Sequence, residues 1–179
     1  LEKAGARAEI VPTAGNPVVV GRVNAGRADL PHVVVYGHYD VQPVDPLELW
    51  ETPPFEPRVR DGKIFGRGAA DNRGPHAVSV VAIANLLARR PDLPLRVTFV
   101  LEGEEEIGSG SFPQFLREHA AELSEADFVL LSDTESAAAG KSAITSGLRG
   151  VVGVELRLEG PNADLHSGIY GGAVYNPLQ

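Results

Sequence analysis

The sequence predicts an α/β fold, a mixed and mostly parallel sheet flanked by helices, followed by the start of a second, α+β unit. Three observations lead there. Pro31 to Tyr36, Leu95 to Leu101 and Phe128 to Leu131 are largely apolar runs of strand length, as expected of strands covered on both faces. Helix-length segments separate them, Val78 to Arg89 and Phe112 to Ala121, so strands alternate with helices. After Gly147-Leu148-Arg149-Gly150 the character changes: Val152 to Leu158 alternates apolar with polar or small residues, the pattern of a strand with one wet face.

In chain order, Leu1 to Gly5 reads as the last turn of a helix closed by Gly5. With no initial Met and no element closing at Tyr175-Asn176-Pro177-Leu178-Gln179, the chain is expected to be a piece of a longer protein. Ala8 to Val11 and Pro17 to Val23 are β-rich runs flanking a Thr13-Ala14-Gly15-Asn16 turn. Val33-Val34-Val35-Tyr36 is a central strand that delivers His38 and Asp40 at its end. Five prolines between Val41 and Arg58 predict an ordered, irregular loop. Arg58 to Phe65 is a hairpin about Asp61-Gly62. Pro75 lies near a helix start, and that helix, through Arg89 and stopped before Pro91, is expected to be largely buried. Leu95 to Leu101 is the next strand. Ser109 and Ser111 are candidate N-caps for the helix from Phe112. Phe128 to Leu131 is a third central strand, and Lys141 to Ser146 could add another. The expected domains are 1–147, and 148–179 as the start of a lid or dimerisation domain.

Composition narrows the function classes. The 179 residues are 43% hydrophobic and 22% charged, as in an ordinary globular protein. A net charge of −8 argues against a nucleic-acid groove, where phosphates require concentrated Lys and Arg. The absence of cysteine excludes thiol catalysis and zinc ribbons and fits a cytoplasmic location. The apolar stretch Val78 to Ala88 is too short to cross a membrane, so neither nucleic acid nor membrane is an expected partner.

The chemistry gathers at the ends of the strands. Gly37-His38-Tyr39-Asp40, Glu104-Glu105-Glu106 and Ser132-Asp133 each follow an apolar run, and Gly68-Ala69-Ala70-Asp71-Asn72 precedes the first long helix. Ligands of open α/β sheets bind beyond the carboxyl ends of the strands. One histidine and several carboxylates there supply the mixed N/O ligands that Zn²⁺, Mn²⁺ or Co²⁺ accept. Other motifs carry less. Gly66-Arg67-Gly68 lacks the Gly-Lys-Ser/Thr ending of a phosphate loop, and no serine sits in a Gly-x-Ser-x-Gly elbow. His32, His76 and His119 read as structural.

Four strings, taken in order, carry a family resemblance: Tyr36-Gly-His38-Tyr-Asp40-Val-Gln-Pro43, Asp61-Gly-Lys-Ile-Phe-Gly66-Arg-Gly68-Ala-Ala-Asp71-Asn-Arg-Gly74-Pro75, Leu101-Glu-Gly-Glu-Glu105-Glu106-Ile-Gly-Ser109 and Asp164-Leu-His166-Ser-Gly-Ile-Tyr-Gly171-Gly172. The chain resembles the co-catalytic two-metal peptidases, the family of carnosinase and cytosolic nonspecific dipeptidase, carboxypeptidase G, aminoacylase-1 and acetylornithine deacetylase. The dipeptidase branch resembles it most. The resemblance implies a zinc-exopeptidase-like fold and two divalent ions, zinc with manganese or cobalt as alternatives. It implies His38 and Asp133 in the first metal site, Asp71 as the bridge and Glu106 in the second site. Glu105 would be the general base, Asp40 the carboxylate that orients the His38 ring, and His166 a lid-domain histidine serving the partner subunit of a homodimer. It further implies a cis Asp71-Asn72 peptide and a last histidine ligand far beyond this chain, which makes the segment by itself inactive. The expected activity is hydrolysis of amide bonds in small substrates, most of all dipeptides. N-acyl amino acid deacylase or carboxypeptidase activity is the alternative within the family. A non-catalytic metal-binding or oligomerisation module is the alternative of another class.

Overall fold

Strand β3 (His32–His38) organises the fold, because its apolar run is flanked on each side by a strand running the same way. The computed structural model describes residues 1–134, 138, 140–141 and 143–176, in two units, Leu1–Glu135 and Ser136–Gln179. In the first unit β1 (Arg7–Val11), β2 (Val18–Val23), β3, β6 (Arg96–Glu102) and β7 (Phe128–Leu131) form one sheet in the order β1-β2-β6-β3-β7. β3 runs parallel to β6 and β7, while β2 is antiparallel to both β1 and β6, so β2 alone opposes the common direction. The sheet is therefore mixed and mostly parallel, as the sequence predicts.

The hairpin of β4 (Arg58–Arg60) and β5 (Lys63–Phe65) stands apart as a two-stranded ribbon. Its turn residues Asp61 (φ 49°) and Gly62 (φ 72°) both take the left-handed conformation that a tight hairpin requires. Helix α1 (Arg73–Arg89) returns the chain from β3 to β6, and α2 (Phe112–Glu118) with α3 (Ala120–Leu123) leads from β6 to β7. Alternate residues of the strands feed two cores. Val35, Val97 and Phe99 pack with Val80, Ile83 and Leu87 of α1 on one face. Val34, Val100 and Val18 pack with Phe112, Phe115 and Leu123 on the other. Helices thus cover both faces of the sheet. The path from β3 moves first to β6 on one side and then to β7 on the other, which makes the carboxyl end of β3 a topological switch point.

Several local expectations need correction. Helix α1 is not largely buried: one stripe meets the core, while Val78 and Val81 face solvent. β7 is an edge rather than a central strand, and its four residues are exposed because no described strand pairs with its outer side. Ser111 is the N-cap of α2 without a side-chain cap bond, and Ser109 turns its hydroxyl to Glu102 instead. In the second unit, Val152 to Leu158 forms no strand and is exposed throughout, since a lone alternating run has no ladder to join. Of the expected strand at 141–146 the described residues show only the Ala138–Lys141 bridge, and Ser142 lies outside them. Among the described residues of this second unit the helix is α4 (Ser167–Tyr170).

Candidate metal centre

β3 ends by placing the fully buried His38 ring where Nε2 faces acidic side chains from three other segments. Nε2 lies 3.0 Å from Asp71 Oδ1, 3.4 Å from Asp133 Oδ2 and 3.8 Å from Glu105 Oε2. Potential ligand atoms of His38, Asp71 and Asp133 lie within 4.8 Å of one another, and so do those of His38, Glu105 and Glu106. Of the candidate ligands named from sequence, Asp71 and Asp133 group with His38, while Glu106 groups with His38 and the candidate base Glu105 and not with Asp71. On the other side of the ring, Nδ1 donates to the main-chain oxygen of Asp40 at 3.3 Å and lies 3.2 Å from its Oδ1. Because the Asp40 carbonyl can only accept, Nδ1 is the donor there, and Nε2 is turned to the carboxylates, within hydrogen-bond distance of Asp71 Oδ1.

Asp40 does more than meet the ring. Its Oδ2 accepts the Glu106 amide at 3.0 Å, so one carboxylate contacts both the histidine and the acidic turn. That turn is the single 3-10 turn Glu105–Ile107 after β6. Glu104 does not belong to the site: its oxygens accept the amides of Asn16 at 2.9 Å and Ser111 at 2.8 Å. Those main-chain donors, Ser111 first, hold its carboxyl below the usual range. Glu105 is pushed the other way, by burial first and then by Asp133, Glu106 and Asp71, with His38 opposing. Burial pulls the His38 imidazole down, yet Asp133, Glu105, Asp40 and Asp71 together raise it above the ordinary value.

Residues overlooked in the sequence hold these groups in place. Asn72, fully buried, donates through Nδ2 to Asp133 Oδ1 at 2.8 Å and to Ser132 O at 2.9 Å, while its Oδ1 accepts the His38 amide at 3.3 Å. Asp133 thus has one oxygen tied and the other turned to His38. Because the His38 N–H only donates and the Ser132 carbonyl only accepts, the amide can sit in one orientation. His76 Nδ1 also lies 3.3 Å from Asn72 Oδ1, and burial, His38 and Arg73 lower its pKa. The close approach of this helix start to β3 needs Gly37, where a Cβ would sit 2.8 Å from His76 Cβ and 3.0 Å from Asn72 Oδ1. Gln42 donates to Glu106 Oε2 at 2.8 Å. The only local signal for Asn72 was its place beside Asp71. Its partners lie 34 and 61 residues away, and no sequence pattern joins them.

The Asp71-Asn72 peptide is cis, as the resemblance implies. His166 belongs to the second unit, where it caps α4 and its Nδ1 accepts the Gly168 amide at 3.0 Å. The donor set of the first unit fits a divalent cation. Among the described residues no Lys or Arg forms an ion pair with Asp71, Glu105, Glu106 or Asp133, so like charges converge without a cationic side chain. One imidazole nitrogen with carboxylate oxygens suits zinc, manganese or cobalt.

Comparison with known proteins points the same way. Residues 34–172 match the family described as Peptidase family M20/M25/M40. The Cys-Gly metallodipeptidase dug1 of Schizosaccharomyces pombe is 40% identical over 148 residues, 82% of this chain and 31% of that protein. The chain therefore spans about a third of that relative's length. Among solved structures, the M20 family metallo-carboxypeptidase Sso-CP2 from Sulfolobus solfataricus superposes with a TM-score of 0.68 at 34% identity, covering 75% of this chain and 30% of that one. Human carnosine dipeptidase 1 gives 0.70 at 27% identity, covering 99% and 39%.

Proposed function

We propose, on the premise that the chain belongs to Peptidase family M20/M25/M40, that it carries the general base and most of the metal ligands of a dipeptidase. The observation that carries this reading is the placement of Asp71, Asp133 and Glu105 around His38 Nε2, with Glu106 in the neighbouring group. His38, Asp71 and Asp133 would hold one divalent ion and Asp71 and Glu106 a second, with zinc the first candidate. Bound there, the ions would polarise the scissile carbonyl and lower the pKa of water.

The remaining steps belong to side chains of this chain. Glu105, its carboxyl raised by burial and neighbouring charge, takes a proton from the attacking water and returns it to the leaving amine, as a base poised closer to neutrality should. Asp40 keeps the His38 tautomer and holds the Glu106 amide. His166 would stabilise the oxyanion in the partner's site of a homodimer, with 148–179 opening the lid domain and the last ligand lying on chain beyond this one. The cytoplasm is the proposed location. No described helix is long and apolar enough to cross a membrane.

The substrate class is a short peptide with a free amino terminus. The dipeptidase names of S. pombe dug1 and human carnosine dipeptidase 1 support it, and the likeness to a carboxypeptidase keeps that activity as the second reading. A non-catalytic module would have no use for a carboxylate beside the ligand Glu106, and Glu105 is there. Turnover of unblocked dipeptides by the full-length protein with Zn²⁺ or Mn²⁺, against matched N-acetyl amino acids, tests the proposal. Faster cleavage of the acylated series would move the protein to the deacylases, and no cleavage of either would sink the catalytic reading.

A further inference from the structure

Between Glu102 and Glu106 the chain carries four glutamates. Glu105 and Glu106 serve the proposed reaction, and Glu104 is bound to main-chain amides. Glu102 has no such account. It ends β6, stands in register with His38 and is only 2% exposed. A carboxylate in that position is costly unless hydrogen bonded. Its Oε1 accepts the Tyr36 hydroxyl at 2.7 Å and the Ser109 hydroxyl at 3.0 Å, whereas its buried Oε2 has no hydrogen-bond partner. A half-satisfied buried carboxylate calls for a role that offsets its cost.

The two donors identify that role. Tyr36 lies on β3, two residues before His38. Ser109 follows the turn that bears Glu105 and Glu106, and at φ 53° it occupies a region that residues with a Cβ seldom adopt. Its amide donates to Glu104 O at 2.7 Å, closing the turn on itself. We propose that Glu102 is a positioning residue that ties the Glu105–Glu106 turn to the strand of His38, through Ser109 on one side and Tyr36 on the other. The two ligand groups that share His38 then keep a common geometry. This rests on the metal-hydrolase reading, and the experiment separates the two.

Three variants of the full-length protein make the test. Glu102→Gln keeps an oxygen for both hydroxyls, Glu102→Leu keeps bulk without an acceptor, and Ser109→Gly removes one hydroxyl while relieving the backbone at that residue. Amide hydrogen exchange of the metal-free chain is read at Ile107, Gly108 and Ser109, whose N–H groups close the turn, with Val97 and Phe99 of β6 as internal controls. Zn²⁺ affinity is measured by chelator competition, and thermal stability alongside. Exchange at the three turn amides is expected to rise at least ~10-fold in Glu102→Leu and Ser109→Gly with β6 unchanged. Zn²⁺ affinity should fall about 10-fold in both and recover in Glu102→Gln, the scale expected for lost support of metal ligands. Ser109→Gly should keep or raise the melting temperature while losing affinity, which a purely structural role would not produce. Wild-type exchange and affinity in both Glu102→Leu and Ser109→Gly would overturn the inference, as would Glu102→Gln failing as badly as Glu102→Leu. A parent chain that binds no Zn²⁺ but shows the exchange pattern would retain the positioning role and remove the metal reading.

Discussion

Replacing Asn72 by leucine tests the junction on which the candidate centre depends. The change keeps the heavy-atom count and branching of the side chain, so no cavity opens, and the polar groups left behind set the least it can cost at this fully buried position. It strands the Ser132 carbonyl and Asp133 Oδ1, bound at 2.9 and 2.8 Å, and the weaker His38 amide contact at 3.3 Å. A buried group left without a partner costs about 1–3 kcal/mol. Charging about 2 kcal/mol to the carbonyl and about 1 to the long amide contact gives roughly 3 kcal/mol. For a domain near this size each kcal/mol shifts the melting temperature by about 2–4 °C, so circular dichroism of the metal-free chain should show a drop of about 6–12 °C. The released Asp133 carboxylate should also lower Zn²⁺ affinity about 10- to 100-fold by chelator competition. A melting temperature within about 2 °C of the parent, with unchanged affinity, would refute the reasoning, because a fourfold-bonded amide cannot be both central and dispensable.

Other outcomes follow from the same geometry. In the full-length enzyme, Glu105→Gln should cut kcat about 100-fold or more with metal content retained, whereas Glu106→Gln should release metal. Equal metal loss in both with turnover kept in Glu105→Gln would reverse the assignment. Gly37→Ala places a Cβ against His76 and Asn72 and should cost about 1–3 kcal/mol in a denaturant titration; an unchanged midpoint would contradict that packing. The Glu122 carboxyl is held below its usual range chiefly by hydrogen bonding to Arg22, whose Nε is 2.6 Å away. A depressed carboxyl stabilises the fold above its unfolded pKa, near 4.3, and loses that contribution as pH falls through the lower folded value. Glu122→Gln should therefore cost about 1 kcal/mol at pH 7 and flatten the acid limb of a pH–stability curve. A parallel downward shift at every pH would argue against the linkage.

The sequence determined the fold class and pointed to the residues of the candidate site, because both depend on local pattern. Apolar runs of strand length alternating with helical segments require a covered sheet, and the residue following each run is carried to the carboxyl edge whatever the loops do. His38, Glu105, Glu106 and Asp133 were legible for that reason, and the Asp61-Gly62 turn because its backbone demands those residues. Strand order was not, since nothing local tells Phe128 to Leu131 that it lies at an edge. The failed strand at Val152 to Leu158 shows the same limit, as alternation states what a face would bury but not whether a neighbour exists to pair with it. Tertiary structure alone sorted the glutamates, giving Glu102 to Tyr36 and Ser109, Glu104 to the amides of Asn16 and Ser111, and Glu105 and Glu106 to the site. It alone made Asn72 the link between His38 and Asp133. Hydrogen-bond partners dozens of residues apart meet only once the sheet has set its register, so the residue types are written in the chain and their roles in the packing.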